Sequence, residues 1–121
     1  SESELHIVKV LYAYTPTDDA QIPLLPGELI TNACQVTDSW QRGTNAQGQT
    51  GLFPANYVEI VKPMFQVKAA FDLVPDVDAY LPLSAGQWYV VFKEVSDEWY
   101  DGASLDYKRS GLFPVAYCDA A

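Results

Sequence analysis

The two halves of this chain repeat one another. Tyr12, Gly27 and Trp40 return as Phe71, Gly86 and Trp99, each 59 residues later. Gly51-Leu52-Phe53-Pro54 returns as Gly111-Leu112-Phe113-Pro114, with Tyr57 matched by Tyr117, at a displacement of 60. Self-similarity at a fixed spacing marks a duplicated structural unit. The 121 residues therefore read as two units, 1–62 and 63–121, where length alone suggests a single domain. The extra residue of the second unit falls between Trp99 and Gly111, in a stretch that reads as a loop, where an insertion costs little.

Within each unit the pattern is one of short apolar or alternating runs, such as Ile7 to Tyr14 and Glu28 to Ala33, broken by Gly, Asp, Asn and Pro. No helical period competes with it, so the fold class is all-β. About five short strands per unit close into a small barrel or an orthogonal pair of sheets, which hides their edges. The alternation turns Val8, Val10, Ile22, Leu24, Ile30, Phe53 and Val58 inward in the first unit. Val67, Ala69, Leu81, Leu83, Tyr89, Phe113 and Cys118 do so in the second. Asn32 fits this alternation badly, since its counterpart is Val91, and Gly43 and Gly48 are spaced as turn residues. Only Val61-Lys62-Pro63-Met64 joins the units, and a proline there restricts the range of their mutual orientations.

Val10-Leu11-Tyr12-Ala13-Tyr14, Pro26-Gly27-Glu28, Ser39-Trp40 and Gly51-Leu52-Phe53-Pro54-Ala55-Asn56-Tyr57-Val58 together resemble the successive signatures of an SH3 domain. The second unit follows the family more loosely, through Ala69-Ala70-Phe71-Asp72-Leu73, Ala85-Gly86, Glu98-Trp99 and Gly111 to Tyr117. The resemblance implies two small five-stranded SH3-like barrels in tandem on a very short linker. It further implies a non-catalytic module that grips proline-rich, PxxP-type segments. The setting it suggests is a cytoplasmic adaptor or scaffold of the kind that assembles signalling, actin or endocytic machinery.

The chemistry of the residues agrees with that implication. A polyproline II helix exposes three residues per turn and a solvated backbone, so parallel aromatic ridges and a few hydrogen-bond donors can read it. Tyr12, Tyr14, Trp40, Pro54 and Tyr57 supply the ridges in the first unit, and the phenols, the indole N–H and the Asn56 amide supply the polar handles. A barrel this small cannot bury so many rings beside its aliphatic core. SH3 domains usually add a carboxylate in the loop after the second tyrosine, which pairs with an Arg or Lys flanking the ligand prolines. That position falls here on Gln21, leaving Asp18, Asp19 and Asp38 to supply charge and ligand orientation weakly specified.

Phe71 and Leu73 replace the two tyrosines in the second unit, Tyr80 stands in the place of the loop acid, and Ala116 replaces the asparagine. Trp99, Pro114 and Tyr117 remain beside Phe71, with Glu98, Asp76, Asp78 and Asp97 as an acidic rim. This more apolar groove suits a ligand other than a standard PxxP peptide, or a supporting role. The alternative to peptide capture in trans is one composite surface for an intramolecular, autoinhibitory segment or for a partner without PxxP.

Other classes of function fit poorly. The net charge is −9, with three basic and seven acidic residues before Met64 and four and nine from there on. Such a surface repels phosphate backbones and favours Lys- and Arg-bearing partners, which argues against a nucleic-acid binder. The longest apolar runs, such as Trp88 to Phe92, are too short to cross a bilayer. His6 is the only histidine, so no catalytic or metal constellation assembles around it. Cys34 and Cys118 lack metal-ligand spacing and read as free, partly buried thiols in a reducing compartment. The expectation is a monomeric, cytoplasmic binding module without enzyme activity, cofactor or metal.

Overall fold

In the computed structural model the described residues are 5–77 and 79–119, and Asp78 of the expected acidic rim lies outside them. The chain divides after Lys62 into two compact units. In the first, strands β1 (His6–Val10), β2 (Leu29–Gln35), β3 (Trp40–Thr44), β4 (Thr50–Pro54) and β5 (Val58–Val61) form one antiparallel sheet in the order β4-β3-β2-β1-β5. A single 3-10 turn, Ala55–Tyr57, joins β4 to β5. The second unit repeats the plan with β6 (Phe65–Ala69), β7 (Trp88–Glu94), β8 (Trp99–Ser104), β9 (Ser110–Pro114), a 3-10 turn at Val115–Tyr117 and β10 (Cys118–Asp119), in the order β10-β6-β7-β8-β9. The fold class is therefore all-β, with two five-stranded SH3-like units and three residues between β5 and β6.

Each sheet wraps a core of its own. Val8, Val10, Ile22, Leu24, Ile30, Phe53 and Val58 are all buried, joined by Ala33. The second core holds Val67, Ala69, Leu81, Leu83, Tyr89, Val91 and Phe113. Cys118 departs from the expectation: it packs against this core but stays partly exposed. It starts a strand of only two residues, paired with β6 alone, so neighbours cover it on one side.

A bulge explains Asn32. The register of β2 slips between Ile30, opposite Val8, and Ala33, opposite His6. Asn32 takes a left-handed conformation, with φ of 54°, and turns outward. Asparagine tolerates that region better than most residues. Ala33 then fills the space that Val91 fills in the second unit, where the slip comes at Phe92.

Gly43 is not the turn residue the sequence suggests. It lies buried inside β3, opposite Gly51, where a Cβ would come within 2.6 Å of Ile30 Cγ2. The turn falls to Gly48, with φ of 83°. The extra residue of the second unit sits in the matching hairpin, which needs six residues between Ala103 and Ser110 where the first needs five between Thr44 and Thr50.

Long loops between β1 and β2, and between β6 and β7, fold back over the outer edges of β4 and β9. Ile22 N–H donates to Leu52 O at 3.0 Å, and Leu52 N–H to Ala20 O at 2.9 Å. Leu81 and Leu112 repeat the first contact at 2.8 Å. An edge strand thereby loses its open hydrogen-bonding groups, and the tip of each loop is delivered beside the aromatic side chains described next.

Candidate peptide-binding grooves

Four backbone contacts fix the rings of the first unit. Tyr14 and Leu24 exchange N–H···O bonds of 3.1 Å, closing the loop stem, and Leu11 N–H donates to Tyr57 O at 2.8 Å, tying the stem to the 3-10 turn. Ala55 N–H donates to Ser39 O at 2.9 Å, which draws that turn towards the Trp40 turn. Trp40 itself faces Pro54 across the β3–β4 ladder, and its N–H donates to Thr37 Oγ1 at 3.1 Å.

The result is one unbroken row of rings. Tyr12 meets Tyr57 with centroids 5.8 Å apart, Tyr57 meets Tyr14 at 5.8 Å, and Tyr14 meets Trp40 at 6.3 Å, every pair edge to face. Edge-to-face pairing at these distances is the favoured aromatic geometry, so the row is stiff before any ligand arrives. Tyr14 and Tyr57 also press on the core from above, while Tyr12 remains 59% exposed. Two of the rings therefore serve core and surface together. Asn56 is exposed on the 3-10 turn beside the row.

Gln21 is a residue whose structural part the sequence did not reveal. Its Oε1 accepts from the Tyr14 hydroxyl at 2.5 Å, from Thr17 N–H at 2.8 Å and from the Thr17 hydroxyl at 3.1 Å. Its amide donates to Asp18 Oδ2 at 3.3 Å, and Asp18 Oδ1 accepts from Ala20 N–H at 2.8 Å. Asp18 thus shapes the loop with both oxygens. Asp19 and Asp38 are exposed at loop tips.

Glu28, in the Pro26-Gly27-Glu28 turn, is half-buried, and burial pushes its carboxyl above the usual range against the opposing pull of a backbone hydrogen bond from Leu25.

The second unit keeps the scaffold and breaks the row. Ala70 N–H donates to Tyr117 O at 2.7 Å, Val115 N–H to Glu98 O at 2.9 Å, and Trp99 pairs with Pro114. Leu73, in the place of Tyr14, sinks against the core. Two separate ring pairs result: Phe71 edge-on to Tyr117 at 5.8 Å, and Tyr80 flat on Trp99 at 5.2 Å with 17° between the planes. Sequence reasoning placed Tyr80 opposite Gln21 but not in the site. The register does so directly, since Gln21 bridges to Leu52 as Tyr80 bridges to Leu112. Asp76, Asp97 and Glu98 are exposed around these rings.

Residues 10–59 match the family model described as a variant SH3 domain. The first unit belongs to the SH3 family. Protein app1 of Schizosaccharomyces pombe is 31% identical over 126 residues, a match that takes in 91% of this chain and 14% of that protein. Vinexin of Mus musculus is 24% identical over 132 residues, with 96% and 18% covered. The chain thus spans less than a fifth of the length of either relative, and both matches run across the two units. Among solved structures, the C-terminal SH3 domain of myosin IB from Entamoeba histolytica, bound to a peptide, is 35% identical, covers 50% of this chain and 98% of that one, and has a TM-score of 0.44. SH3 domains are non-catalytic interaction modules. Among the described residues no cluster of His, Cys, Asp or Glu is arranged to hold a metal ion, and no helix is long and apolar enough to cross a membrane.

Proposed function

We propose that the first SH3 unit captures proline-rich segments in the polyproline II conformation, as the binding part of a cytoplasmic adaptor or scaffold without catalytic activity. The observation that carries this reading is the unbroken row Tyr12–Tyr57–Tyr14–Trp40 with Pro54 across from the tryptophan. Ligand prolines sit between successive ridges, and their carbonyls accept from the Trp40 indole, the Asn56 amide and the exposed phenols.

Asp19 and Asp38 supply a diffuse negative field for a Lys or Arg beside the prolines. Asp18 contributes charge while its oxygens hold the loop. A diffuse field raises the association rate and tolerates either ligand direction, unlike a bidentate pair. Two free thiols suit a reducing compartment. The acidic surface argues for a protein partner and against nucleic acid, and the unit works as a monomer.

Titrating the 121-residue chain with a proline-rich peptide bearing one flanking arginine tests this. Trp40→Lys removes a ridge and adds a repelling charge, so affinity falls by at least about tenfold, the loss typical of a central aromatic contact. Unchanged affinity in a folded variant removes Trp40 from the site and the reading with it.

The second unit takes a different ligand under the same proposal. Phe71, Trp99, Pro114 and Tyr117 form its contact surface and Glu98 its nearest acid, with Leu73 and Ala116 where the first unit has Tyr14 and Asn56. A partner without PxxP fits such a surface better than a proline-rich one.

A further inference from the structure

The two grooves differ most in what they offer an extended backbone. In the first, Tyr12, Asn56 and Trp40 all carry a donor. At the matching positions of the second, Phe71 and Ala116 carry none, and Leu73 has taken the place of Tyr14. The donors that remain are the Trp99 indole and the phenols of Tyr80 and Tyr117. A polyproline II ligand has no internal hydrogen bonds. Laid across Phe71, Leu73 and Ala116, it would lose water from its carbonyls and find no donor at those three positions.

The loops around this groove have changed in the same direction. Thr15 and Asp18 of the first unit become Val74 and Val77, which are 88% and 49% exposed, and Phe71 is 59% exposed. Apolar groups so exposed, gathered on the loops that bound one groove, mark a surface with a partner. Tyr80 stacked on Trp99 extends it with a flat apolar wall where the first unit has the polar hub of Gln21.

Only a ligand that satisfies its own backbone can use such a surface fully, and an α-helix does so through its i to i−4 bonds. The geometry points to an amphipathic helix as the occupant of the second groove, its apolar stripe on Phe71, Val77, Tyr80 and Trp99. Exposed Asp76, Asp97 and Glu98 around the rings call for basic residues flanking that stripe. This rests on the reading of the second unit's rings as a contact surface and is independent of what the first unit binds.

The test uses the whole chain and three probes. One is an 18-residue leucine–lysine–alanine peptide with leucines at i, i+3, i+4 and i+7. The second has the same composition with the leucines scattered round the helix, and the third is a proline-rich peptide with one flanking arginine. Indole N–H resonances report Trp40 and Trp99 separately, and circular dichroism reports the helicity of the peptide. The amphipathic peptide shifts Trp99, gains helix on binding and binds at least about tenfold more tightly than its scattered control. Phe71→Lys abolishes that preference.

Restoring the donors with Phe71→Tyr, Leu73→Tyr and Ala116→Asn together moves the second groove towards the proline-rich probe. Equal binding of the two leucine peptides, an unmoved Trp99, or proline-rich peptide preferred at Trp99 in the unaltered chain overturns the proposal. Failure of the first-unit reading shows instead at Trp40.

Discussion

Tyr80 lies flat on Trp99 in the second unit, whereas Gln21, at the same place in the loop of the first, accepts a hydrogen bond from the Tyr14 hydroxyl. One substitution thereby changes both the wall of the groove and the means by which the loop is held. In the first unit the loop is fastened by polar contacts that leave Trp40 free to meet a ligand. In the second a ring covers one face of the tryptophan.

Gln21→Ala tests the fastening. Tyr14 and Thr17 lose their shared acceptor, which water replaces only in part, so the first unit loses about 1 kcal/mol of stability. Affinity for a proline-rich peptide falls several-fold because the Tyr14 ring is less well fixed. Denaturant titration and calorimetry on the same samples check both, and an affinity loss without any stability loss would make Gln21 a ligand contact.

Gly51→Ala tests the seating of the loop on β4. A Cβ there would stand 2.7 Å from Ala20 O and 2.9 Å from Ile22 Cγ2, so the loop must lift from the strand edge. Forcing atoms into a packed site costs about 1–3 kcal/mol. Faster amide exchange at Ile22 and Leu52 is the local sign.

Each core has a separate keystone. Phe53 and Phe113 are fully buried at equivalent places. Truncating a buried phenylalanine costs about 3–5 kcal/mol, against a total of about 3–9 kcal/mol for a module of this size. Phe53→Ala therefore collapses the dispersed resonances of the first unit while those of the second persist, and Phe113→Ala does the reverse.

Glu28 gives the first unit a pH dependence. Its folded carboxyl binds a proton more readily than its unfolded one, because burial penalises the charged form. Between the unfolded value near 4.5 and the raised folded one, the folded state holds more protons, so stability falls as pH rises through that window. Glu28→Gln removes this fall and leaves the first unit more stable than the parent at neutral pH. Urea titrations at pH 4 and pH 7, followed by the indole N–H resonance of Trp40, measure the difference.

Repetition made the fold readable. Because Phe53 and Phe113 or Val10 and Ala69 recur in step, the strands, the all-β class and nearly all of both cores followed from spacing. What the spacing concealed was local. Asn32 looked misplaced because a bulge shifts the register by one residue, and alternation has no way to count an extra residue within a strand. Gly43 looked like a turn because glycine also serves where a neighbour, here Ile30, needs the room. The aromatic positions were legible, but the role of Gln21 was not, because it depends on four groups brought together by the loop. Tyr80 was seen as a missing acid when its structural meaning is a second ring on Trp99.

The central claim is that the grooves are unequal, and one titration addresses it most directly. Proline-rich peptide is added to the unaltered chain while the indole N–H resonances of Trp40 and Trp99 are followed together. The account predicts a saturable shift of Trp40 with Trp99 unmoved at the same concentrations. Shifts of both with equal midpoints, or of Trp99 alone, would contradict it.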